Sequence, residues 1–483
     1  MHTPNPEIKG QRPAKGLYYD IGLRLMKLLN ILLIVAAFAG CWLLYYVNRV
    51  IMRPSPLRSA GVILLFTLLY SFFGRVYDAF LISLKRISDL FFSQLLSILM
   101  ADAFMFITLW LMSGSFPNLL PALAALAGQV LFSFLWCKYA HVWYFSRFAG
   151  QKTFVVYDRD RDITDLLGQY GLGKRFSVQG SCTAEACLRT NMRDLNDLDA
   201  VFLCGVQSHE RNQILKYCVA HGIDTYVIPR VGDVIMSGAK RMHMFHLPVL
   251  RVKRYSPAPE YLLIKRAFDI VSSAIVILIT SPLMLGVAIA VKAQDGGSVF
   301  YRQKRLTKNG RAFNILKFRS MRTDAEKDGV ARLSTGENDD RITPVGRVLR
   351  ACRLDELPQL FNILGGSMSV VGPRPERPEI ARQYESEIPE FSLRLQAKAG
   401  LTGYAQIYGK YNSTPYDKLQ MDLMYIANPS IVEDLKIIFA TIRILFMSES
   451  TEGVEQGKTT AMGEEKIAQT APNHADHHDE NIA

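Results

Sequence analysis

The stretch IVSSAIVILITSPLMLGVAIAV, residues 270–291, decides the architecture of this chain. Its 22 residues are long enough for a helix that crosses the roughly 30 Å hydrocarbon core of a bilayer. Lys and Arg are retained on the cytoplasmic side of membranes, so basic flanks report orientation. Both flanks are basic, with Arg251, Lys253, Arg254, Lys265 and Arg266 before the stretch and Lys292, Arg302, Lys304, Arg305, Lys308 and Arg311 after it. We therefore expect both ends to be cytoplasmic.

Pro282, in the middle of this stretch, favours the same conclusion. Proline removes one backbone donor and disfavours helical geometry at the preceding residue, Ser281. We expect a re-entrant helix over about residues 265–292 that enters and leaves the membrane by one face. The Ser281 hydroxyl is then available to cap a carbonyl that the proline leaves free. The alternative is a helix buried in a soluble core.

Upstream, apolar segments at residues 28–47, 60–73, 90–112 and 119–143 predict four transmembrane helices, the second of them short for a span. Residues 1–27 are polar and basic and lack a signal-peptide cleavage site, so we expect a retained cytoplasmic segment. An even number of spans returns the chain to the cytoplasm. Arg49, Arg53 and Arg58 lie in a loop that this scheme places outside, which argues against it.

Residues 149–257 change to short β-rich runs at 153–157, 200–204 and 225–228, with a helical stretch at 211–221. This alternation predicts a small α/β, Rossmann-like module with a parallel sheet. Its glycines, Gly168, Gly171 and Gly173, do not follow a strand in the GxGxxG order of dinucleotide sites. We expect a structural or regulatory role ahead of nucleotide binding. We also expect a homo-oligomer, in which this module is a dimerisation element or a scaffold.

Composition agrees with apolar spans and soluble domains in one chain. The 483 residues exceed the usual size of a single core, and 49% are hydrophobic while 21% are charged. The net charge of +12 suits nucleic acid, anionic lipid or phosphate-bearing small substrates. The seven cysteines are scattered without CxxC spacing, which predicts neither a disulfide framework nor a zinc site.

A series of residues suited to phosphate oxygens follows the apolar stretch. They are Lys317, Arg319, Arg341, Arg347, Arg350 and Arg353. RLDELPQLF, residues 353–361, then predicts a helix start with Asp355 at the N-cap and Pro358 in the first turn. From spacing alone Asp355 is more typical of a helix cap than of a catalyst. A helix amino terminus, however, also attracts phosphate.

Adjacent carboxylates among arginines allow a division of labour. One attacks phosphorus as a nucleophile, and the other holds Mg²⁺, which prefers carboxylate and phosphate oxygens. Further along, GPRPE at residues 372–376 places Arg374 and Glu376 on a turn stiffened by two prolines. The sequence thus predicts a phosphate-handling site around Asp355 and Glu356.

Residues 261–446 resemble the bacterial sugar transferase family, polyprenyl-phosphate hexose-1-phosphate transferases that initiate exopolysaccharide, capsule and O-antigen synthesis. The shared motifs are KRAFDI (265–270), the Ser281-Pro282 break, KFRSM (317–321), RLDELPQLFNIL (353–364), SVVGPRPERP (369–378) and KAGLTGYAQIYGK (398–410). Together they are far more specific than any one alone. The four apolar segments and the α/β module resemble the longer members of the family.

The resemblance implies a UDP-sugar donor, a polyprenyl phosphate acceptor and Mg²⁺. Asp355 matches the nucleophile that forms a phosphosugar-aspartyl intermediate with release of UMP, and Glu356 matches the residue associated with magnesium. Arg350 and Arg374 match phosphate-contacting positions, and Ser281 and Pro282 match the kink of a re-entrant helix. From charge and proximity in sequence we add Lys317, Arg319 and Glu376 as substrate-binding candidates.

One departure from the family pattern is visible at Gly366-Ser367-Met368-Ser369, where members commonly have Gly-Asp-Met-Ser.

The residues that follow the catalytic motifs are less informative. Residues 431–446 fit an amphipathic helix on the bilayer or packing onto the catalytic core. Residues 448–483 are typical of a disordered tail, whose Asp and His cluster is a weak candidate for metal binding.

The scheme places a catalytic domain, residues 258–447, on the cytoplasmic face of a bacterial inner membrane, with membrane lipid but no nucleic acid as a partner. Two other classes remain as alternatives. A membrane-bound nucleotide-sugar dehydratase would need a glycine-rich dinucleotide loop and a tyrosine-lysine pair, and the sequence shows no convincing instance of either. A non-catalytic assembly scaffold would not need the Asp355 and Glu356 pair. No motif encodes the identity of the sugar.

Overall fold

The computed structural model describes residues 15–51, 55–148, 150–158, 163, 167, 172–255, 257–322, 341–409 and 413–445. It divides into two compact units between Pro229 and Arg230. Gly168, Gly171, Arg53 and the predicted tail, residues 448–483, lie outside the described residues.

The described part of the first unit begins with long apolar helices. They are α1 (Lys15–Cys41), which continues as a π-helix (Trp42–Tyr46), α2 (Pro56–Val76), α3 (Ile87–Ser113) and α4 (Leu119–Arg147). Each is long and apolar enough to cross a membrane. Helix α2 is longer than its apolar run because Ser55 caps it, accepting a hydrogen bond from the Arg58 amide at 3.2 Å.

Buried polar side chains link these helices to one another. Asn30 of α1 donates to Gln94 Oε1 of α3 at 3.0 Å, and Tyr70 of α2 donates to Asn30 Oδ1 at 2.7 Å. Ser133 of α4 donates to the same Gln94 oxygen at 2.7 Å. Polar groups in an apolar bundle find their partners on neighbouring helices, so this network stabilises the packing of all of these helices together.

A parallel sheet follows, formed by β1 (Gln151–Tyr157), β2 (Phe176–Thr183), β3 (Ala200–Cys204) and β4 (Asp224–Ile228) in the order β2-β1-β3-β4. Helices α5 (Ala184–Arg189) and α6 (Ser208–Ala220) connect its strands. The predicted strands and their parallel arrangement are confirmed. Strand β2 is not predicted from sequence, because Phe176 is its one buried residue and polar residues fill most of the rest.

The second unit opens with α7 (Val231–Ser237) and the antiparallel hairpin of β5 (Lys240–Met244) and β6 (Leu247–Arg251). Val231 and Val234 of α7 are buried in one core with Leu419 and Leu423. The residues from Arg230 onwards therefore pack with the second unit, although the sequence scheme groups residues 149–257 in one module.

Helix α8 (Pro259–Asp295) is a single assigned helix of 37 residues with Pro282 inside it. The carbonyl of Leu278 would accept from residue 282 in an unbroken helix, and it instead accepts from the Ser281 hydroxyl at 2.8 Å. The predicted cap is confirmed. Large apolar side chains are exposed along α8, including Leu278 and Ile279, so the alternative of a helix buried in a soluble core is wrong. The re-entrant path stays a prediction.

The remaining elements of this unit follow α8 along the chain. They are the hairpin of β7 (Phe300–Leu306) and β8 (Ala312–Phe318), α9 (Pro344–Ala351), α10 (Gln359–Leu364), the parallel pair β9 (Ser369–Val371) and β10 (Gly400–Thr402), α11 (Pro378–Glu387), α12 (Tyr404–Ile407), α13 (Pro415–Ala427) and α14 (Ile431–Leu445). Helix α14 buries Ile437 in the core, and Thr441 hydrogen-bonds Thr402 at 2.7 Å. One face of this helix thus packs onto the core.

Candidate active site

The Asp355 and Glu356 pair lies in a short 3₁₀ turn, Leu354–Glu356, that precedes α10. Arg353 enters this turn in the left-handed conformation, with φ 54°, and the N-cap of α10 is Pro358. The expectation that Asp355 caps the helix is wrong, because the 3₁₀ turn places it before the helix start. Its carboxylate is buried, with 9% of the residue exposed. Asp355 is thus held next to the helix without serving as its cap.

Glu356 is held by two cations from other elements. Lys317 Nζ, on β8, lies 2.7 Å from Glu356 Oε1, and an Arg374 guanidinium nitrogen lies 3.8 Å from the same oxygen. Burial alone would raise the pKa of Glu356, but Lys317 and Arg374 outweigh it and lower the pKa to about 2. Glu356 is therefore ionised at any physiological pH.

The pKa of Asp355 is shifted in the opposite direction, upwards. Burial raises the pKa of Asp355, and the negative charge of Glu356 raises it further, while Lys317 and Arg350 partly offset both effects. Two neighbouring carboxyl groups whose pKa values are pushed apart are typical of groups with different chemical roles. The more basic Asp355 suits attack on phosphorus, and the permanently charged Glu356 suits a cation.

The structure brings together only some of the predicted phosphate-binding residues. Arg350, in the last turn of α9, donates from Nε to Ser320 Oγ at 2.9 Å, and its charge acts on Asp355. Arg319 lies elsewhere, because its guanidinium forms an ion pair with Asp295 at the end of α8. Arg319 is buried and joins β8 to α8, so its role among the described residues is to connect elements rather than to face the dyad.

Glu376, another predicted substrate-binding residue, forms ion pairs with arginines that hold the GPRPE turn. Its carboxylate lies 3.5 Å from Arg394 and 3.9 Å from Arg305. The same Arg394 lies 2.6 Å from Asp422 and donates to the backbone carbonyl of Arg374 at 2.8 Å. Arg394 and Asp422 are almost fully buried. Sequence reasoning missed both, because they are far apart along the chain and belong to different elements.

A close backbone contact fixes the start of this turn. A Cβ atom on Gly372 would lie 2.2 Å from the carbonyl oxygen of Lys398. Only glycine allows this approach between the segments that lead out of β9 and into β10. Arg374 is therefore presented by a turn held through backbone packing and through Arg394.

The KRAFDI motif anchors these pieces to α8. Arg266 donates to the carbonyls of Ile363 and Leu364 at 2.7 Å each, at the carboxyl end of α10. Asp269 accepts from the Ser369 hydroxyl at 3.1 Å and from the Val370 amide at 2.9 Å, at the start of β9. One helix thus holds both the dyad helix and the strand that leads to Arg374.

The dyad has the chemistry of a magnesium site. Carboxylate oxygens are the ligands that Mg²⁺ prefers, and it commonly takes one or two of them and completes its shell with water and substrate phosphates. No group of three or more His, Cys, Asp or Glu residues able to hold a metal occurs within the described residues. Glu356, ionised beside the proposed nucleophile, is the carboxylate of the pair that fits Mg²⁺ as a ligand.

Comparisons with known proteins identify the family of the part of the chain that contains this site. A model of the bacterial sugar transferase family matches residues 260–448, which contain all the site residues described above. The chain is 36% identical over 270 residues, 54% of its length and 63% of the relative's, to the Aeromonas hydrophila protein named UDP-N-acetylgalactosamine-undecaprenyl-phosphate N-acetylgalactosaminephosphotransferase.

Two further relatives are similar over shorter lengths. Exopolysaccharide production protein PSS of Rhizobium leguminosarum bv. phaseoli is 43% identical over 201 residues, 40% of this chain and 98% of that protein. The UDP-glucose:undecaprenyl-phosphate glucose-1-phosphate transferase of Caulobacter vibrioides is 40% identical over 191 residues, 38% of this chain and 71% of that protein. The chain belongs to the bacterial sugar transferase family.

Proposed function

We propose that this protein transfers a sugar-1-phosphate from a UDP-sugar to undecaprenyl phosphate or a similar polyprenyl phosphate, with release of UMP. The names of the Aeromonas and Caulobacter relatives support a donor and an acceptor of these classes. The observation that carries the proposal is the Asp355 and Glu356 pair, with opposed pKa shifts beside Lys317, Arg350 and Arg374. The reaction is the first membrane step of polysaccharide assembly.

In the first step a carboxylate oxygen of Asp355 attacks the β-phosphorus of the UDP-sugar. The bond between that phosphorus and the bridging oxygen breaks, UMP leaves with the oxygen, and the sugar phosphate remains on Asp355 as an acyl phosphate. The raised pKa of Asp355 supports this role, since a more basic carboxylate is a better nucleophile. Lys317, Arg350 and Arg374 are placed to stabilise the charge that spreads over the phosphate oxygens.

In the second step a phosphate oxygen of the polyprenyl phosphate attacks the same phosphorus. The bond to Asp355 breaks, and the aspartate leaves as a carboxylate ready for another cycle. Splitting the transfer in this way means that a soluble donor and a lipid acceptor need not occupy the site together.

Glu356 would hold Mg²⁺, which when bound supplies positive charge to the phosphate oxygens. The low pKa of Glu356 keeps its carboxylate available for a cation at neutral pH. Lys317, which pairs with Glu356, keeps that side chain in place.

We place the catalytic unit at the cytoplasmic face of the inner membrane, with α1 to α4 as spans and α8 as a re-entrant helix bent at Pro282. The basic flanks of α8 and its exposed apolar side chains support this path. The Rossmann-like sheet of the first unit is proposed as the dimerisation element of a homo-oligomer.

Turnover tests the function directly. Purified protein is incubated with Mg²⁺, undecaprenyl phosphate and a panel of UDP-sugars, and both UMP and lipid-linked sugar phosphate are measured. At least one donor should give both products, and Asp355→Asn should give neither. Glu387→Gln, which removes an exposed carboxylate at the end of α11, is the matched control and should retain activity. The proposal fails if no UDP-sugar releases UMP, or if Asp355→Asn turns over normally.

Labelling tests the membrane path of α8. Single cysteines replace the exposed residues Arg254 and Arg302, before and after α8, in a background that lacks the native cysteines. A membrane-impermeant thiol reagent applied to intact cells should label neither position, and both should react after the membrane is opened. Labelling of one position alone from outside would show that α8 crosses the bilayer.

A further inference from the structure

A small cavity of about 70 Å³, open to solvent, lies between the first turns of α8 and the segment that leads into β10. Among the residues that the structure describes, its lining includes Lys265, Arg266, Lys308, Lys398, Asp269 and Leu262. We call it the α8 cation cavity. Neither the proposed transfer reaction nor the dyad uses it.

The α8 cation cavity carries an excess of positive charge. Lys265 is neutralised by Asp434, whose carboxylate lies 2.9 Å away. Asp269 already accepts hydrogen bonds from Ser369 and Val370. Lys308 and Lys398 form no ion pair with any residue that the structure describes, and Lys308 lies over the Tyr255 ring at 5.9 Å. The lining is therefore matched to an anion with more than one hydrogen-bond acceptor.

The pKa of Lys398 supports an anion-binding role for the cavity. Burial lowers the pKa of Lys398, and the nearby positive charge of Arg266 lowers it further, although Asp269 acts in the opposite sense. A lysine held among like charges at a cost to stability is typical of a binding residue rather than of a purely structural one.

The cavity is separate from the dyad. Arg266 binds the carboxyl end of α10, whereas Asp355 precedes the amino end. The six residues of α10 alone advance at ~1.5 Å each, which puts roughly 8 Å of helix between the two places. Neither carboxylate of the dyad lines the cavity, so an anion held there does not contact Asp355.

Apolar surface adjoins the cavity. Leu262 lines it and is exposed, and Leu263 and Ile264 beside it are exposed as well. Lys265 lies five residues before Ile270, where the apolar stretch of a helix long enough to enter a membrane begins. A lipid can thus place its head group among the cations and its acyl chains along α8.

We propose that the α8 cation cavity binds the phosphate of an anionic membrane phospholipid. Lys308 and Lys398 supply the charges that meet the head group, and Arg266 and Lys265 form the wall that α8 contributes. Binding at this point fixes the amino-terminal end of α8 at the level of the lipid head groups. The proposal goes beyond sugar-phosphate transfer, and it is tested without turnover.

The test uses full-length protein in detergent, titrated with dioctanoyl phosphatidylglycerol and followed by native mass spectrometry and by thermal unfolding. The variant Lys308→Gln/Lys398→Gln is compared with Lys240→Gln/Lys253→Gln, which removes the same charge from exposed positions outside the cavity. We expect saturable binding that raises the Tm of the wild type and the control. The cavity variant should bind at least about tenfold more weakly, the factor expected for loss of one charge-assisted hydrogen bond.

Other measurements separate a binding role from a structural one and a lipid from a soluble anion. Without lipid, the cavity variant should have a Tm no lower than that of the wild type, because a repelled lysine has been removed. Dioctanoyl phosphatidylcholine, inorganic phosphate and UMP should each stabilise the protein less than phosphatidylglycerol. Equal affinity of both double variants for phosphatidylglycerol would overturn the proposal. So would saturation by inorganic phosphate without any gain from the lipid.

Discussion

Lys317 Nζ lies 2.7 Å from Glu356 Oε1, and the charge of the same lysine is the strongest influence that lowers the pKa of Asp355. One cation on β8 thus controls both carboxyl groups of the dyad. It keeps Glu356 ionised, and it limits the rise that burial imposes on the pKa of Asp355.

The acid limb of the pH profile should move when this lysine is removed. Attack requires ionised Asp355, so kcat/KM falls as the pH falls through its raised pKa. Lys317→Gln removes the charge that lowers this pKa, and the limb should therefore shift to higher pH. Arg350→Gln should shift it in the same direction by less. Rates of UMP release across the pH range, at saturating Mg²⁺, provide the measurement.

Glu356→Gln should act in the opposite sense, because it removes the negative charge that raises the pKa of Asp355. Its residual activity, if measurable in single turnover, should extend to lower pH. A shift of the Lys317→Gln limb to lower pH would contradict the assignment of Asp355 as the titrating nucleophile.

Asp355→Asn should abolish turnover without lowering stability. The pKa of Asp355 is raised by folding, so above that pKa the folded state carries a penalty for holding the ionised carboxylate. An uncharged amide of the same shape removes the penalty, so we expect the free energy of unfolding at pH 7 to rise. Chemical denaturation in EDTA should show this gain, and the gain should vanish at a pH low enough to protonate Asp355. A clear loss of stability at pH 7 would argue that Asp355 is structural.

Arg394 should act as a positioning residue for the GPRPE turn. Arg394→Lys keeps a charge beside Asp422 but loses the fork that also reaches the carbonyl of Arg374. We expect KM for the UDP-sugar to rise about tenfold, since the loss of one charge-assisted hydrogen bond has that magnitude. Arg382→Lys, at an exposed position of α11, is the control and should leave KM unchanged. A fall in kcat with unchanged KM would show that Arg394 does not act through substrate binding.

Ser281 and Pro282 should show energetic coupling. Ser281→Ala leaves the Leu278 carbonyl without the hydroxyl that now caps it, at a cost of about 1 kcal/mol. In a Pro282→Ala background residue 282 has its own amide hydrogen for that carbonyl, so the same change should cost almost nothing. The cycle of both single variants and the double variant, followed by thermal unfolding in one detergent, measures the difference. Equal costs in both backgrounds would contradict the role of Ser281 as a cap.

Sequence patterns predicted the structure correctly where the residues of one short segment determine it. The alternation of β-rich runs predicted strands β1, β3 and β4, and the missing donor of Pro282 predicted the cap by Ser281. Asp355 could be singled out from sequence only by its resemblance to a family motif. Its position before the helix depends on the left-handed turn at Arg353, and a non-glycine residue gives no signal of that conformation.

Contacts between distant segments were beyond such rules. Lys317 and Arg319 share the KFRSM motif, yet β8 ends at Phe318, so the alternation of a strand no longer sets the direction of Arg319. It pairs with Asp295 instead. Arg394 lies in a 3₁₀ helix, Pro389–Gln396, and Asp422 lies in α13. The two residues meet only because both elements pack around one core, and no spacing in the sequence encodes that meeting.

Arg266 and Asp269 lie about one turn apart on α8. Arg266 donates hydrogen bonds to the end of α10, and Asp269 accepts hydrogen bonds from the start of β9. A tilt of α8 therefore moves the nucleophile and the turn that carries Arg374 as one rigid piece. Bilayers of different thickness should change the depth of the reaction centre while leaving its internal geometry intact. On the proposed re-entrant path, a change of bilayer would therefore alter the reach of the reaction centre toward the proposed acceptor and not its chemistry.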